Sequence, residues 1–114
     1  MMINFKEETL KVLKEHGKTI NDVVWVGNDE VEYSMTSLLN CWDVEYDNGF
    51  GGTEVDEDLL IVGKDWWLER DEYDGSEWWE FKSLPKRPDK IVEISSVLYK
   101  DERYKEGRTY NESD

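Results

Sequence analysis

Histidine, cysteine and proline are almost missing from this chain of 114 residues, and positive charge is scarce. The one histidine, His16, excludes a multi-histidine metal centre and argues against a Ser-His-Asp triad. Near the end of the first helical pattern, it reads as a surface residue favoured by the helix C-terminus. The one cysteine, Cys41, cannot form an internal disulfide, which points to a reducing cytosol. It falls on the apolar side of the second helical pattern and reads as a small core residue rather than a nucleophile. The two prolines, Pro85 and Pro88, mark a break over residues 83–89. No apolar run approaches the ~20 residues of a membrane span. The opening MMINFKEETL reaches charge at Lys6 and has no apolar run of signal length. Gly49, Gly51 and Gly52 are not followed by Lys-Ser/Thr, so no phosphate loop is present.

What the chain has instead is acid and tryptophan. The net charge is −14, with charged residues at 37%, so aromatic rings must carry much of the burial. Residues 43–80 hold fourteen acidic residues against Lys64 and Arg70, a net of −12. Residues 82–114 are close to neutral, and Lys82, Lys86, Arg87 and Lys90 make the main basic cluster. That cluster reads as a solvated linker or as an anchor for the acidic half. A surface so acidic repels nucleic acid, which excludes direct binding to a phosphate backbone.

Four of the six tryptophans lie in DWWLERDEYDGSEWWEFK, residues 65–82. Asp74-Gly75 between two runs of alternating character predicts a hairpin with a type I′ turn. In that register Tyr73 faces Ser76, Asp71 faces Trp78, Glu69 faces Glu80 and Trp67 faces Lys82. Alternation then places Trp66, Leu68, Arg70, Glu72, Glu77, Trp79 and Phe81 on the other face. Trp66, Leu68, Trp79 and Phe81 form its apolar cluster. Trp67 and Trp78 sit among carboxylates. Either both faces are covered, or this second pair of rings is exposed as a partner site.

Around the hairpin, residues 4–17 read as a helix, with Asn4 as N-cap and Gly17 as the stop. Residues 23–26 and 30–33 read as short strands about a turn at residues 27–29. Ser34 caps a second helix, residues 35–42, with Met35, Leu38, Leu39 and Trp42 as its stripe. Residues 43–58 read as a long acidic loop, and residues 59–62 as a central strand buried on both faces. Residues 90–94 are assigned to a strand from Ile91, Val92 and Ile94, and residues 100–114 to a flexible tail after a single domain, 1–99. The expected fold is α+β, a small antiparallel sheet of four or five strands with a central Trp-rich hairpin and two helices packed on it.

Two chemistries can be set against a plain acidic surface. Asp43, Glu45, Asp47 and Glu54 fall at positions 1, 3, 5 and 12 of a calcium-binding loop, although the sharp-turn position carries Asn48. Calcium is the cofactor that spacing would take, and the alternative is a solvated loop. Paired carboxylates beside tryptophans suit sugar binding or hydrolysis, but no spacing singles out a catalytic pair.

The stretch GFGGTEVDEDLLIVGKDWWLERDEYDGSEWWEFK resembles a core found in small acidic proteins encoded by bacteriophages and integrative elements, over roughly residues 42–88. The resemblance implies a mobile-element origin, hence the host cytoplasm, and no particular activity. Small acidic proteins of that origin are often inhibitors of host defence, including anti-CRISPR proteins, some of which mimic DNA. The expected function is thus non-enzymatic: an acidic protein that docks on a basic, nucleic-acid-binding host protein such as a CRISPR nuclease. The expected contacts are Asp56, Glu57, Asp58, Trp67, Glu69, Asp71, Glu72, Asp74, Glu77, Trp78 and Glu80. The alternatives are a calcium- or carbohydrate-binding module and a structural phage protein without catalytic activity.

Overall fold

The structure, a computed structural model, describes residues 1–49 and 51–98. The chain divides into two compact units, Met1–Leu84 and Pro85–Asp114. All helices and strands of the described residues lie in the first unit. They run β1 (Met2–Asn4), α1 (Phe5–Glu15), a 3₁₀ turn (Ile20–Asp22), β2 (Trp25–Gly27), β3 (Glu32–Tyr33), α2 (Met35–Cys41), β4 (Glu45–Asp47), β5 (Leu60–Val62), β6 (Trp66–Tyr73) and β7 (Ser76–Ser83). The fold is α+β. One antiparallel sheet has the order β3-β2-β5-β6-β7, and β1 pairs with β4 in a separate two-stranded ribbon.

The capping chemistry explains where α1 begins and ends. The Asn4 side chain accepts from the Glu7 N–H at 2.9 Å, and it donates in turn to Asp43 Oδ1 at 2.8 Å. At the far end Gly17 takes φ +71, Lys18 N–H bonds the Leu13 carbonyl and Gly17 N–H bonds that of Lys14. These two bonds are a Schellman stop, which satisfies carbonyls the helix would otherwise leave bare. Between them Phe5, Thr9 and Leu13 recur every four residues and are buried. Trp79 Nε1–H donates to Thr9 Oγ1 at 2.9 Å, so this stripe is fastened to β7 by a buried hydrogen bond.

The hairpin has the expected register, from Tyr73↔Ser76 out to Trp67↔Lys82. Asp74 and Gly75 take φ 51 and 87, the pair of left-handed residues that a type I′ turn requires. Gly63, where β5 turns into β6, admits no side chain because the Trp66 indole lies against its Cα. β5 is the middle strand, and the hairpin supplies the last two.

Cross-strand registers sort the sheet into two faces. Val26, Ile61, Leu68 and Phe81 form one row of the inner face, with Trp66 and Trp79 beside them. Phe5 and Leu13 of α1, Leu38 of α2 and Trp42 at its C-cap join that face in the core. Trp25, Val62, Trp67 and Lys82 form a row of the outer face, and Leu60, Glu69 and Glu80 the next. Trp25, Leu60, Val62, Trp67 and Trp78 are half-buried and stand apart from the core cluster.

Several expectations differ from what is found. Residues 43–58 are not wholly loop, because Glu45–Asp47 pairs with Met2–Asn4. β5 is central, but Leu60 and Val62 are only half-buried, so its second face is not sealed. In α2 the buried side is narrower than the stripe: Leu39 is 44% exposed, and Cys41 is exposed rather than core. Residues 90–94 form no strand, and Ile91 is 87% exposed. β-branched side chains favour a strand only where a neighbouring strand offers a ladder, and these residues belong to neither sheet. Of the 100–114 tail, all lies outside the described residues.

Candidate functional site

The hairpin builds two different environments from alternating residues. On the inner face, Arg70 and Glu77 are swallowed with the apolar side chains. Their side chains are 3% and 2% exposed, and Arg70 Nη2 lies 3.0 Å from Glu77 Oε1. Arg70 Nη1 reaches Glu8 Oε2 of α1 at 3.4 Å, and Nη2 also donates to the Tyr46 hydroxyl at 3.0 Å. That hydroxyl donates to Glu8 Oε1 at 2.6 Å. The Arg70 guanidinium lies 4.8 Å from the Trp79 ring centroid and 5.7 Å from those of Phe5 and Tyr46. Three ring faces and two carboxylates thus replace its water. Burial, then the bond to Glu8, pushes the Tyr46 phenol well above its ordinary range, and Arg70 opposes this only in part.

Glu77 has a further task. Its carboxylate accepts the backbone N–H groups of Glu54 at 2.6 Å and of Val55 at 3.2 Å. Glu77 N–H itself bonds the Asn48 carbonyl, and Gly75 packs on the Gly51 backbone. The acidic segment after β4 is therefore pinned to the hairpin. Glu77, expected as a partner contact, is instead an internal tether. The register carries the signal: Glu77 lies two residues from Trp79 on the same face, and Arg70, the cation a buried carboxylate needs, is its diagonal neighbour.

That tether assembles the outer acids. Glu57 and Asp58 of the segment and Asp71 and Glu72 of the hairpin line one open cavity of about 270 Å³, with Arg70 and Glu77 in its wall. Asp56 and Asp74 are exposed as well. Two acidic runs separated by the whole of β5 in sequence thus meet at one end of the sheet. An internal hydrogen bond from Thr53 Oγ1 to Glu57 Oε2, at 3.1 Å, and an Asx turn at Asp56 shape the segment.

The outer face carries the other expected residues. Trp67 Nε1–H donates to Glu69 Oε1 at 2.7 Å, and Trp78 Nε1–H to Glu80 Oε2 at 2.6 Å. Each indole leans along its strand toward the carboxylate two residues on. Glu69 and Glu80 are direct cross-strand partners, so two like charges stand opposite one another. Of the two arrangements open for the tryptophans, the rings divide: Trp66 and Trp79 are buried, at 3% and 5% exposure, whereas Trp67 and Trp78 are half-buried.

The calcium-loop residues are not brought together. Asp43 orients Asn4, and Asp47 accepts the Met1 ammonium at 2.6 Å and the Gly49 N–H at 3.0 Å. The ammonium, then the Gly49 N–H, holds the Asp47 carboxyl below its usual range. Glu54 accepts from the Asp47 backbone, and Glu45 is exposed on β4. Among the described residues no group of three or more His, Cys, Asp or Glu side chains could hold a metal ion. The four positions fail as a loop because β4 is extended: Glu45 and Asp47 share a face but stand about 6–7 Å apart along it, too far to close on one ion, and Asp47 is engaged by the Met1 ammonium.

His16 is exposed at the α1 C-cap, as expected, and its ring stacks on Phe81 at 4.0 Å. Among the described residues no helix is long and apolar enough to cross a membrane. Comparison of the chain with protein-family models, with curated proteins and with solved structures finds no match.

Proposed function

We propose that this chain is a non-catalytic binding protein that presents an acidic surface to a basic, nucleic-acid-binding host protein, such as an RNA-guided CRISPR nuclease, and occupies the groove meant for nucleic acid. The observation that carries this reading is the meeting of Glu57, Asp58, Asp71 and Glu72 around one cavity. Carboxylates gathered around one cavity, two from the hairpin and two from the segment pinned to it, present negative charge where a Lys/Arg groove expects phosphates. Such a field speeds encounter and rejects acidic competitors. The pinning of the segment by Glu77 supports the same reading, because a surface ordered before binding loses less entropy on docking.

The test is binding of the purified chain to a panel of purified nucleic-acid-binding proteins and to acidic controls, over a salt series. The reading expects binding confined to basic members, weakening steeply with salt, and abolished by Glu57→Lys with Asp58→Lys and Glu72→Lys. Binding that is indifferent to salt, or that ignores the reversed charges, overturns it.

A further inference from the structure

We propose that the outer face of the hairpin is an arginine cradle, in which a guanidinium of the basic partner sits over Glu69 and Glu80, between the rings of Trp67 and Trp78. The inference rests on the proposed function for its partner's sign of charge, and it assigns the contact to a face separate from the acid-lined cavity.

The geometry is that of cation recognition. Glu69 and Glu80 are directly opposite, which places their Cβ atoms about 4.5–5.5 Å apart. Two carboxylates so close repel, and a cation above them turns that repulsion into attraction. Each carboxylate spends one oxygen on an indole N–H. Among the described residues the second oxygen of each accepts no hydrogen bond, so both remain as acceptors. The same bonds consume the donor edge of each ring, leaving the π face as the recognition element of Trp67 and Trp78. A π face beside a carboxylate suits a guanidinium, which stacks on aromatic rings and donates to an acid at once.

The surroundings favour a side chain with an apolar stem over a free ion. Leu60 lies next to Glu69 on the neighbouring strand, and Val62 next to Trp67, with Trp25 beyond it. These half-buried groups form an apolar band leading to the carboxylate pair, on which the methylenes of an arginine can lie. A second copy of this chain is the wrong occupant, because it would bring Glu69 and Glu80 against an equally acidic face.

The probes are a peptide of eight arginines and one of eight lysines, titrated into the full chain at low salt. Binding is read by calorimetry and by the six indole N–H signals in an NMR spectrum. The cradle expects the arginine peptide to bind more tightly than the lysine peptide, and the Trp67 and Trp78 signals to move while those of Trp66 and Trp79 stay. Glu69→Gln and Glu80→Gln each keep an acceptor for the indole but lose the charge. Each is expected to weaken binding by roughly tenfold or more, the loss of a charge-assisted hydrogen bond. Each should also raise the melting temperature, because the like-charge pair is relieved; a merely structural role predicts a fall. Glu15→Gln, an exposed acid on α1 outside both acidic surfaces, should weaken the peptide by less than about fivefold, as exposed charges do, while Glu57→Gln and Asp58→Asn test the cavity separately.

Stationary Trp67 and Trp78 signals, or unchanged affinity in the two Gln variants, overturn the cradle. If the Glu57 and Asp58 variants then lose the peptide, the proposed function survives and the contact lies at the cavity. Movement of the two indoles with protein concentration alone, or with a soluble glucan and not with arginine, also overturns it, in favour of self-association or sugar binding. No binding of the arginine peptide by any form removes the cradle; the panel of basic proteins then decides the proposed function separately.

Discussion

Replacing Glu77 by Gln is the sharpest perturbation of the buried ionic centre formed by Arg70, Glu77 and Glu8. The side chain is 2% exposed and accepts three hydrogen bonds, from Arg70 Nη2, Glu54 N–H and Val55 N–H. Glutamine is the same size, so no cavity forms and packing is unchanged. It offers one acceptor oxygen in place of two, and its amide presents donors where the backbone already donates. Removing one member of a buried pair costs about 3–5 kcal/mol, and an orphaned backbone donor accounts for roughly 1–3 kcal/mol of desolvation within the same site. Glu8 still neutralises part of the Arg70 charge at 3.4 Å, which places the expected loss near the lower end, about 3 kcal/mol. For a domain with roughly 5–15 kcal/mol in hand, that is a large fraction, equivalent to a drop of about 12 °C or more in Tm. Urea unfolding followed by tryptophan fluorescence measures it directly. Amide exchange of Glu54 and Val55 should accelerate together with the loss. A change below about 1 kcal/mol would refute the reasoning, because it is the value of a solvent-exposed pair.

Other expectations follow from single contacts. Thr9→Val keeps the shape of a fully buried residue but leaves the Trp79 indole N–H without its acceptor. A loss of about 1–3 kcal/mol in chemical denaturation is expected. Tyr46 keeps its proton more tightly folded than unfolded, so its stabilisation is whole below the ordinary value of 10.0 and is lost as pH rises above it. Stability should fall by about 1.4 kcal/mol per pH unit there from this group alone, so the difference between wild type and Tyr46→Phe, measured from roughly pH 10 to 11, should show that slope, which the variant lacks. With a net charge of −14, self-repulsion weakens the folded state, so raising salt from about 0.01 to about 1 M should raise Tm. A Tm that falls over this range would mean that attractive ion pairs outweigh the repulsion.

Much of the hairpin was legible in the sequence because its code is local. Asp74-Gly75 sets the turn, the turn sets the register, and the register sorts every side chain onto a face. The capped helices were legible for the same reason: Asn4, Gly17 and Ser34 act on backbone within a few residues. The ribbon of β1 and β4 was not, since three-residue strands are too short to show a period and their pairing spans more than forty positions. Residues 90–94 mislead in the opposite sense: their side chains favour a strand, but neither sheet among the described residues includes them. Within the site, the outer-face tryptophans and carboxylates fell where alternation put them. Charge alone places Glu77 with the surface acids. Its place beside Trp79 and Arg70 on the core face decides otherwise. The joining of residues 57–58 to residues 71–72 rests on the Glu77 tether, which no local pattern announces.

The central claim is that acidic side chains of this chain take the place of nucleic acid on a basic protein. Its most direct test is competition: a fluorescent DNA duplex bound to a purified RNA-guided nuclease, with anisotropy followed as the chain is added at two salt concentrations. The account predicts displacement of the DNA by the wild-type chain, weaker at the higher salt, and none by the chain carrying Glu57→Lys, Asp58→Lys and Glu72→Lys. DNA that stays bound at saturating chain, or is displaced equally by the charge-reversed variant, would contradict it.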